Sequence, residues 1–198
     1  MKNLLEKKIG HLKVKLASKS PRRQELLGNI ITHFEIVNNE IDEVYPKSLN
    51  TDEVAMYLSR LKAEVFLKRA TKNELYITAD TLVIFKNMIL GKPKSKINAI
   101  NMLKKLSGNT HEVFTGVSLL LNGTIYTFDD MTRVSFYKLS DQEIKFYIDQ
   151  YSPLDKAGSY GIQDWMGYVG IRKMEGDFFN VMGLPLHKLY RKINQIIH

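Results

Sequence analysis

Hydrophobic positions in this chain recur with two different periods that alternate from segment to segment. Residues 12–17 (Leu-Lys-Val-Lys-Leu-Ala) alternate apolar and basic side chains, the period of a strand with one buried face. Ser20-Pro21 then reads as an N-cap followed by proline at the first helical position, and Gly28 ends that short helix. A further strand begins near Phe34. Thr51 to Lys68 sets Val54, Leu58, Leu61 and Val65 at helical spacing behind Thr51 as candidate cap, which predicts the longest early helix. Leu75 to Phe85 is a long β-rich run, and Lys86-Asn87 turns it into a second strand at Met88 to Leu90. Ser95 to Leu106 returns to helical spacing through Ala99, Ile100, Leu103 and Leu106. His111 to Leu121 and Thr124 to Tyr137 flank Asn122-Gly123, residues that tolerate the positive φ a tight antiparallel hairpin requires. Ser140-Asp-Gln-Glu143 is a capping-box pattern opening a helix to Tyr151, and Leu184 to Ile197 is amphipathic. Alternating strands and helices predict an α/β fold with layers around a sheet. No internal repeat, low-complexity tract or linker interrupts the pattern.

Composition narrows what such a fold can do. With 198 residues, 44% hydrophobic and 25% charged, the chain fits one globular domain spanning 1–198 with a sizeable core. It has no run of 18 apolar residues, and lysines at 2, 7, 8, 13 and 15 interrupt the first stretch. Neither a signal peptide nor a membrane span is expected, and the predicted location is the cytoplasm. There is no cysteine, and the histidines never fall at zinc-ligand spacing. A bound metal must then rest on oxygen ligands, which favours Mg2+ or Mn2+. The net charge of +8 suits phosphate-bearing partners, but it equally reflects lysines spread along the whole chain. With no zinc finger, RNP motif or basic-region heptad, nucleic acid is not the expected partner.

Several short segments carry chemistry. Asp80 interrupts an apolar strand, where an ionised carboxylate costs several kcal/mol unless a cation, metal or donor meets it, or unless it escapes to solvent at the strand end. Leu16 to Leu27 leads a strand through Ser18 into a helix N-terminus bearing Arg22 and Arg23. Backbone N–H groups, the helix dipole and guanidinium forks make this a candidate polyphosphate site, with a solvated helix start as the alternative. Gly91-Lys-Pro93 forms a turn in which proline restricts and aims Lys92. Asn39-Glu-Ile-Asp-Glu43 gathers three carboxylates that are either metal ligands or members of structural ion pairs. Asp155-Lys-Ala-Gly-Ser-Tyr-Gly-Ile-Gln163 reads as a shaped pocket or an irregular surface loop.

Taken together, these segments resemble the Maf family. Ser20-Pro-Arg-Arg23, Ala79-Asp-Thr81, Gly91-Lys-Pro93, Leu106-Ser-Gly-Asn-Thr-His-Glu-Val113 with Thr115-Gly-Val117, Asp155 to Gln163, and Asn180-Val-Met-Gly-Leu-Pro185 stand in the family's order. The resemblance implies a mixed, twisted sheet flanked by helices in an elongated two-lobed architecture with a central cleft, resembling inosine triphosphatases, and a homodimer. It also implies a nucleoside triphosphate substrate, attacked at the α-phosphorus by water with the help of a divalent metal. By the same matching, Asp80 is the proton acceptor and, with Asp42 and Glu43, a metal ligand. Ser18, Arg22, Arg23, Lys62, Thr81, Lys92, Lys156 and Gln163 line the substrate.

One branch of the family acts on dTTP and UTP, while another prefers 7-methyl-GTP and carries glutamine after the catalytic aspartate. Thr81 and the Lys156 to Gln163 block resemble the first branch. Two positions depart from the pattern. Asp164 stands where glycine is usual, and its charge at the rim of a base pocket would favour a base with a free amino group, such as cytosine. Ser59 stands where alanine is common. A regulatory or nucleic-acid-binding role linked to cell division is also associated with the family name, but the set Asp80, Lys92 and Arg22 argues for catalysis.

Overall fold

The computed structural model describes residues 3–38 and 41–197. They form a mixed seven-stranded sheet flanked by helices, in the order β2-β1-β3-β5-β6-β7, with β4 paired to β3. The strands are β1 (Lys13–Leu16), β2 (Glu35–Ile36), β3 (Glu74–Phe85), β4 (Met88–Leu90), β5 (Thr110–Leu121), β6 (Thr124–Phe136) and β7 (Ile171–Glu175). The helices are α1 (Leu4–Lys8), α2 (Pro21–Gly28), α3 (Val54–Glu64), α4 (Lys96–Leu106), α5 (Asp141–Tyr151), α6 (Trp165–Gly170), α7 (Phe178–Met182) and α8 (Leu186–Ile196). β1 runs parallel to β2 and β3, whereas β4 and β7 run antiparallel to β3 and β6. Among the described residues no helix is long and apolar enough to cross a membrane.

Two compact units organise the chain. The first comprises Met1–Asp80, Thr115–Asp130 and Gly183–His198. Its core includes Leu16, Leu27, Leu58, Leu75, Ile77, Leu120 and Leu189, all nearly inaccessible to water. Phe66 and Tyr76, with ring centroids 4.5 Å apart, pack there with Ala17 and Leu120. The second comprises Thr81–Phe114 and Met131–Met182, with Leu103, Leu106, Phe136, Ile144, Tyr147 and Met166 at its centre.

Local chemistry explains several element ends. Lys86 and Asn87 both take positive φ in the turn from β3 to β4, as do Asn122 and Gly123 between β5 and β6. Ser95 caps α4 through Asn98 N–H, and Ser140 with Glu143 completes a capping box on α5. The helix predicted over 51–68 is shorter than its pattern. Residues 51–53 form a turn, Glu53 rather than Thr51 is the N-cap, and the chain leaves the helix after Glu64, exposing Val65. Its buried stripe is also rotated, running through Val54, Ala55, Leu58, Ser59, Lys62 and Ala63 rather than Leu61 and Val65. Polar contacts made by Ser59 and Lys62 account for that rotation.

Candidate active site

In the first unit a chain of buried hydroxyls fixes α3 on the sheet. Thr78 of β3 donates its hydroxyl to the Ser59 carbonyl at 2.7 Å. Ser59 Oγ lies 2.9 Å from Ser118 Oγ of β5, which lies 3.0 Å from Thr127 Oγ1 of β6. Residues two apart on a strand share a face, and residues three apart on a helix are neighbours. The contact between Thr78 and Ser59 therefore brings Asp80 and Lys62 together one step further along each element. Lys62 Nζ stands 2.5 Å from Asp80 Oδ1 and 2.7 Å from Glu43 Oε1.

Both Lys62 and Asp80 retain only 7% of their surface. Burying such ions costs several kcal/mol each, offset only where opposite charge lies close, so either one alone would be strongly destabilising. Burial pushes the Asp80 carboxyl above its ordinary range; Lys62 and Arg23 oppose that rise, and Glu43 adds to it. A carboxylate whose charged form is disfavoured by burial is a better proton acceptor than one in water.

The start of α2 supplies further cationic groups to this unit. Ser18, buried at the end of β1, accepts from Ser20 N–H at 3.3 Å and from Arg23 Nη1 at 3.4 Å. Arg23 Nε donates to the Gly183 carbonyl at 2.8 Å, and Gln24 Nε2 donates to the Ser18 carbonyl. Pro21 occupies the first turn, and Ser20 makes no side-chain capping bond. Burial lowers the Arg23 pKa, countered by the charges of Asp80 and Glu43. Arg22 is half-buried beside it, while Asp42 is exposed. Of the predicted residues, Ser18, Arg22, Arg23, Asp42, Glu43, Lys62 and Asp80 thus belong to one unit, and Lys62 binds two of its carboxylates directly. Glu40, the third carboxylate of the 39–43 cluster, lies outside the described residues.

Thr81, Lys92, Lys156 and Gln163 belong to the second unit. Thr81 is half-buried, and Lys92 is exposed on the turn after β4. The Gly91 carbonyl accepts from Gly158 N–H at 3.2 Å, which ties that turn to a single 3-10 turn at Ala157–Ser159. Gly158 has φ 68°, and a Cβ there would stand 2.9 Å from Val83 Cγ2, so position 158 demands glycine on both counts. Lys156 Nζ lies 3.0 Å from Asp155 Oδ1 and 3.7 Å from Asp164 Oδ2. Gln163 Oε1 is enclosed and has no hydrogen-bond partner. Behind this loop, the Tyr147 hydroxyl donates to Asp164 Oδ2 at 2.8 Å and accepts from Gly161 N–H at 2.9 Å. His111 Nε2 lies 2.7 Å from the Tyr160 hydroxyl.

Asp164 therefore does not carry a free rim charge. Its carboxylate is turned onto Tyr147 and Lys156. The roles of Ser59, Thr78, Ser118 and Tyr147 were not anticipated from sequence. The available signal was the placing of Thr78 and Ser118 inside apolar strand runs, where a hydroxyl must find a partner.

The Ham1 protein of Staphylococcus aureus shares the fold with a TM-score of 0.50 at 14% identity, over 92% of this chain and 98% of that one. The family is settled by sequence: residues 13–196 match the family model described as Maf-like protein, and the chain belongs to the Maf family. It is 48% identical to a dTTP/UTP pyrophosphatase of Flavobacterium psychrophilum over 94% of this chain and 96% of that protein. A protein of the same name from Phocaeicola vulgatus is 45% identical over 93% and 96%.

Proposed function

We propose that this chain is a nucleoside triphosphate pyrophosphatase that hydrolyses dTTP and UTP to the nucleoside monophosphate and pyrophosphate, acting in the cytoplasm as a homodimer. The observation that carries this reading is Asp80, buried, raised in basicity and held by Lys62 beside the basic start of α2. The names of the relatives supply the substrates.

In this reading Asp80 orients a water molecule and takes its proton as the water oxygen bonds to the α-phosphorus. The bond from that phosphorus to the bridging oxygen breaks, and pyrophosphate leaves with the electron pair. Arg22, Arg23, Lys62, Lys92 and Lys156 offset charge on the phosphates, with Ser18 and α2 backbone N–H groups as further donors. The donor chemistry fits a hard divalent cation. Asp80 and Glu43 converge on one ammonium, so the pair already binds positive charge, and Asp42 stands next in sequence. Mg2+ or Mn2+ held by Asp42, Glu43 and Asp80 would polarise phosphoryl oxygens and lower the pKa of a bound water.

Base choice falls to Gln163. Its amide carries an acceptor, and the N3–H of uracil or thymine is a matching donor once the side chain turns toward the base. Cytosine presents an acceptor at that ring position and would leave Gln163 unsatisfied.

The test is pyrophosphate release from UTP, dTTP, CTP and 7-methyl-GTP, each with Mg2+, Mn2+ or EDTA. UTP and dTTP should give the highest kcat/KM, and EDTA should abolish turnover until Mg2+ or Mn2+ is restored. Superior turnover of 7-methyl-GTP would overturn the substrate assignment, and full activity in chelator would overturn the metal-assisted mechanism.

A further inference from the structure

Asp164 meets the loop carrying Lys156 and Gln163 at two points, Lys156 and Gly161. Its side chain is 17% exposed, with Oδ2 2.8 Å from the Tyr147 hydroxyl and 3.7 Å from Lys156 Nζ. A Cβ on residue 161 would stand 2.5 Å from that same Oδ2, so the carboxylate lies directly over Gly161. Tyr147 is wholly buried on α5, and its oxygen also takes the Gly161 N–H. Carboxylate, phenol and backbone amide thus close the 156–164 segment onto α5. Asp164 heads α6 yet makes no side-chain capping bond there, because its carboxylate serves this closure instead.

We propose that Asp164 is a positioning residue for pyrimidine recognition. By holding the Tyr147 hydroxyl and the Lys156 ammonium on one carboxylate, it fixes the loop so that the Gln163 amide keeps a single orientation toward the base. The inference rests on the reading that Lys156 and Gln163 bind the nucleotide. It reverses the consequence expected of a rim charge, since a carboxylate already bonded to a phenol and facing an ammonium does not select cytosine. A short polar side chain at residue 164 becomes a determinant of discrimination between uracil and cytosine without touching the base.

The test compares UTP and CTP kinetics for the wild type, Asp164→Ala, Asp164→Asn and Tyr147→Phe, with thermal midpoints measured alongside. Asp164→Ala and Tyr147→Phe should each cut the UTP over CTP preference about tenfold, as expected for a lost buried hydrogen bond. The change should lie in the KM for UTP, with kcat held within about twofold. Asp164→Asn should recover most of the preference, because its carbonyl still accepts from Tyr147, whereas a merely structural role would move the thermal midpoint and leave the ratio alone. An unchanged UTP over CTP ratio in both Asp164→Ala and Tyr147→Phe would overturn the inference, and so would a higher UTP over CTP ratio when the carboxylate is removed. If Asp164→Ala fails to fold, Tyr147→Phe decides the matter. A wild type that does not prefer UTP to CTP overturns the reading of Gln163 and this inference together; a discriminating wild type with unchanged variants overturns this inference alone.

Discussion

The surroundings of Asp80 and of Gln163 solve opposite problems. Asp80, in the first unit, is an ion made tolerable by other ions: Lys62 at 2.5 Å, Glu43 on the same ammonium, and Arg23 near enough to act through its charge. Gln163, in the second unit, is a neutral amide whose enclosed oxygen is left without a partner. Charge that is buried and balanced stores reactivity, because displacing one member changes the basicity of the rest. A neutral acceptor left unpaired stores selectivity, because only a ligand with a matching donor repays its desolvation. The first arrangement suits a reaction and the second suits recognition.

The strongest way to break this contrast is Asp80→Asn. The amide keeps the shape but loses the proton-accepting charge, so kcat should fall about 100-fold to 10,000-fold. The fold should survive, because Lys62 keeps Glu43 at 2.7 Å, with a lower thermal midpoint from the loss of its buried partner. Steady-state kinetics and thermal unfolding of the purified variant measure both. Near wild-type turnover would reduce Asp80 to a structural ion-pair partner.

Gln163→Leu probes the other side. It removes the enclosed acceptor, and kcat/KM for UTP and dTTP should fall roughly 10-fold to 100-fold, the range expected when a buried donor of the ligand loses its partner. CTP should lose less, so the variant should be indiscriminate as well as slow. Equal losses on all pyrimidine triphosphates would assign Gln163 to the phosphates instead of the base.

Acid separates the units without mutation. His111 is 2% exposed, packed edge-on against Phe136 and Tyr160, and burial lowers its pKa to about 3. Its ordinary value is near 6.5, so below that pH the unfolded chain binds a proton that the folded one refuses. Stability then falls as pH drops from about 6.5 toward 3, by up to about 1.4 kcal/mol per pH unit. In the first unit Glu6 and Glu74, both lowered to about 2 by hydrogen bonds with Thr32 and Lys15 as leading causes, lose their contribution only as pH falls below about 4.5. Between these limits, amide exchange should rise in the second unit while the first keeps its protection. His111→Phe should flatten that dependence.

How much of this was legible in the sequence depended on how local the cause is. The hairpin at Asn122-Gly123, the turn at Lys86-Asn87 and the capping box at Ser140 are set by residues within a few positions, and each was readable. Asp80 was singled out because charge in an apolar run demands an explanation, whereas Lys62 entered only through the family resemblance. Residues 164–182 gave no pattern, although they hold α6, β7 and α7. Those short elements depend on distant partners, such as Thr132 receiving the Asp177 N–H at 3.0 Å. Asp164 looked like a rim charge because nothing local reveals that Tyr147, on another helix, turns it inward. Ser59 showed only as a departure from the family's usual alanine, with no role attached, for the same reason.

That exchange gives the smallest effect and the finest test. Ser59→Ala removes the hydroxyl that meets Ser118 Oγ at 2.9 Å and donates to the Met56 carbonyl at 2.8 Å. The bond from Thr78 survives, because it ends on the Ser59 backbone carbonyl, and Ser118 keeps Thr127. No buried partner is stranded, so the cost should be about 1 kcal/mol, the ordinary net worth of one hydrogen bond. For a chain of this length that corresponds to a fall of roughly 2–4 °C in Tm. Because Lys62 is also held by its own ion pairs, kcat should drop less than about tenfold. Thermal unfolding and dTTP turnover of the one variant decide between two views of the site. A loss of a few tenths of the wild-type rate leaves the ion pairs in control of the distance between Lys62 and Asp80. A rate loss as large as that of Asp80→Asn would mean that the hydroxyl chain, and not the charges, sets the geometry of the base.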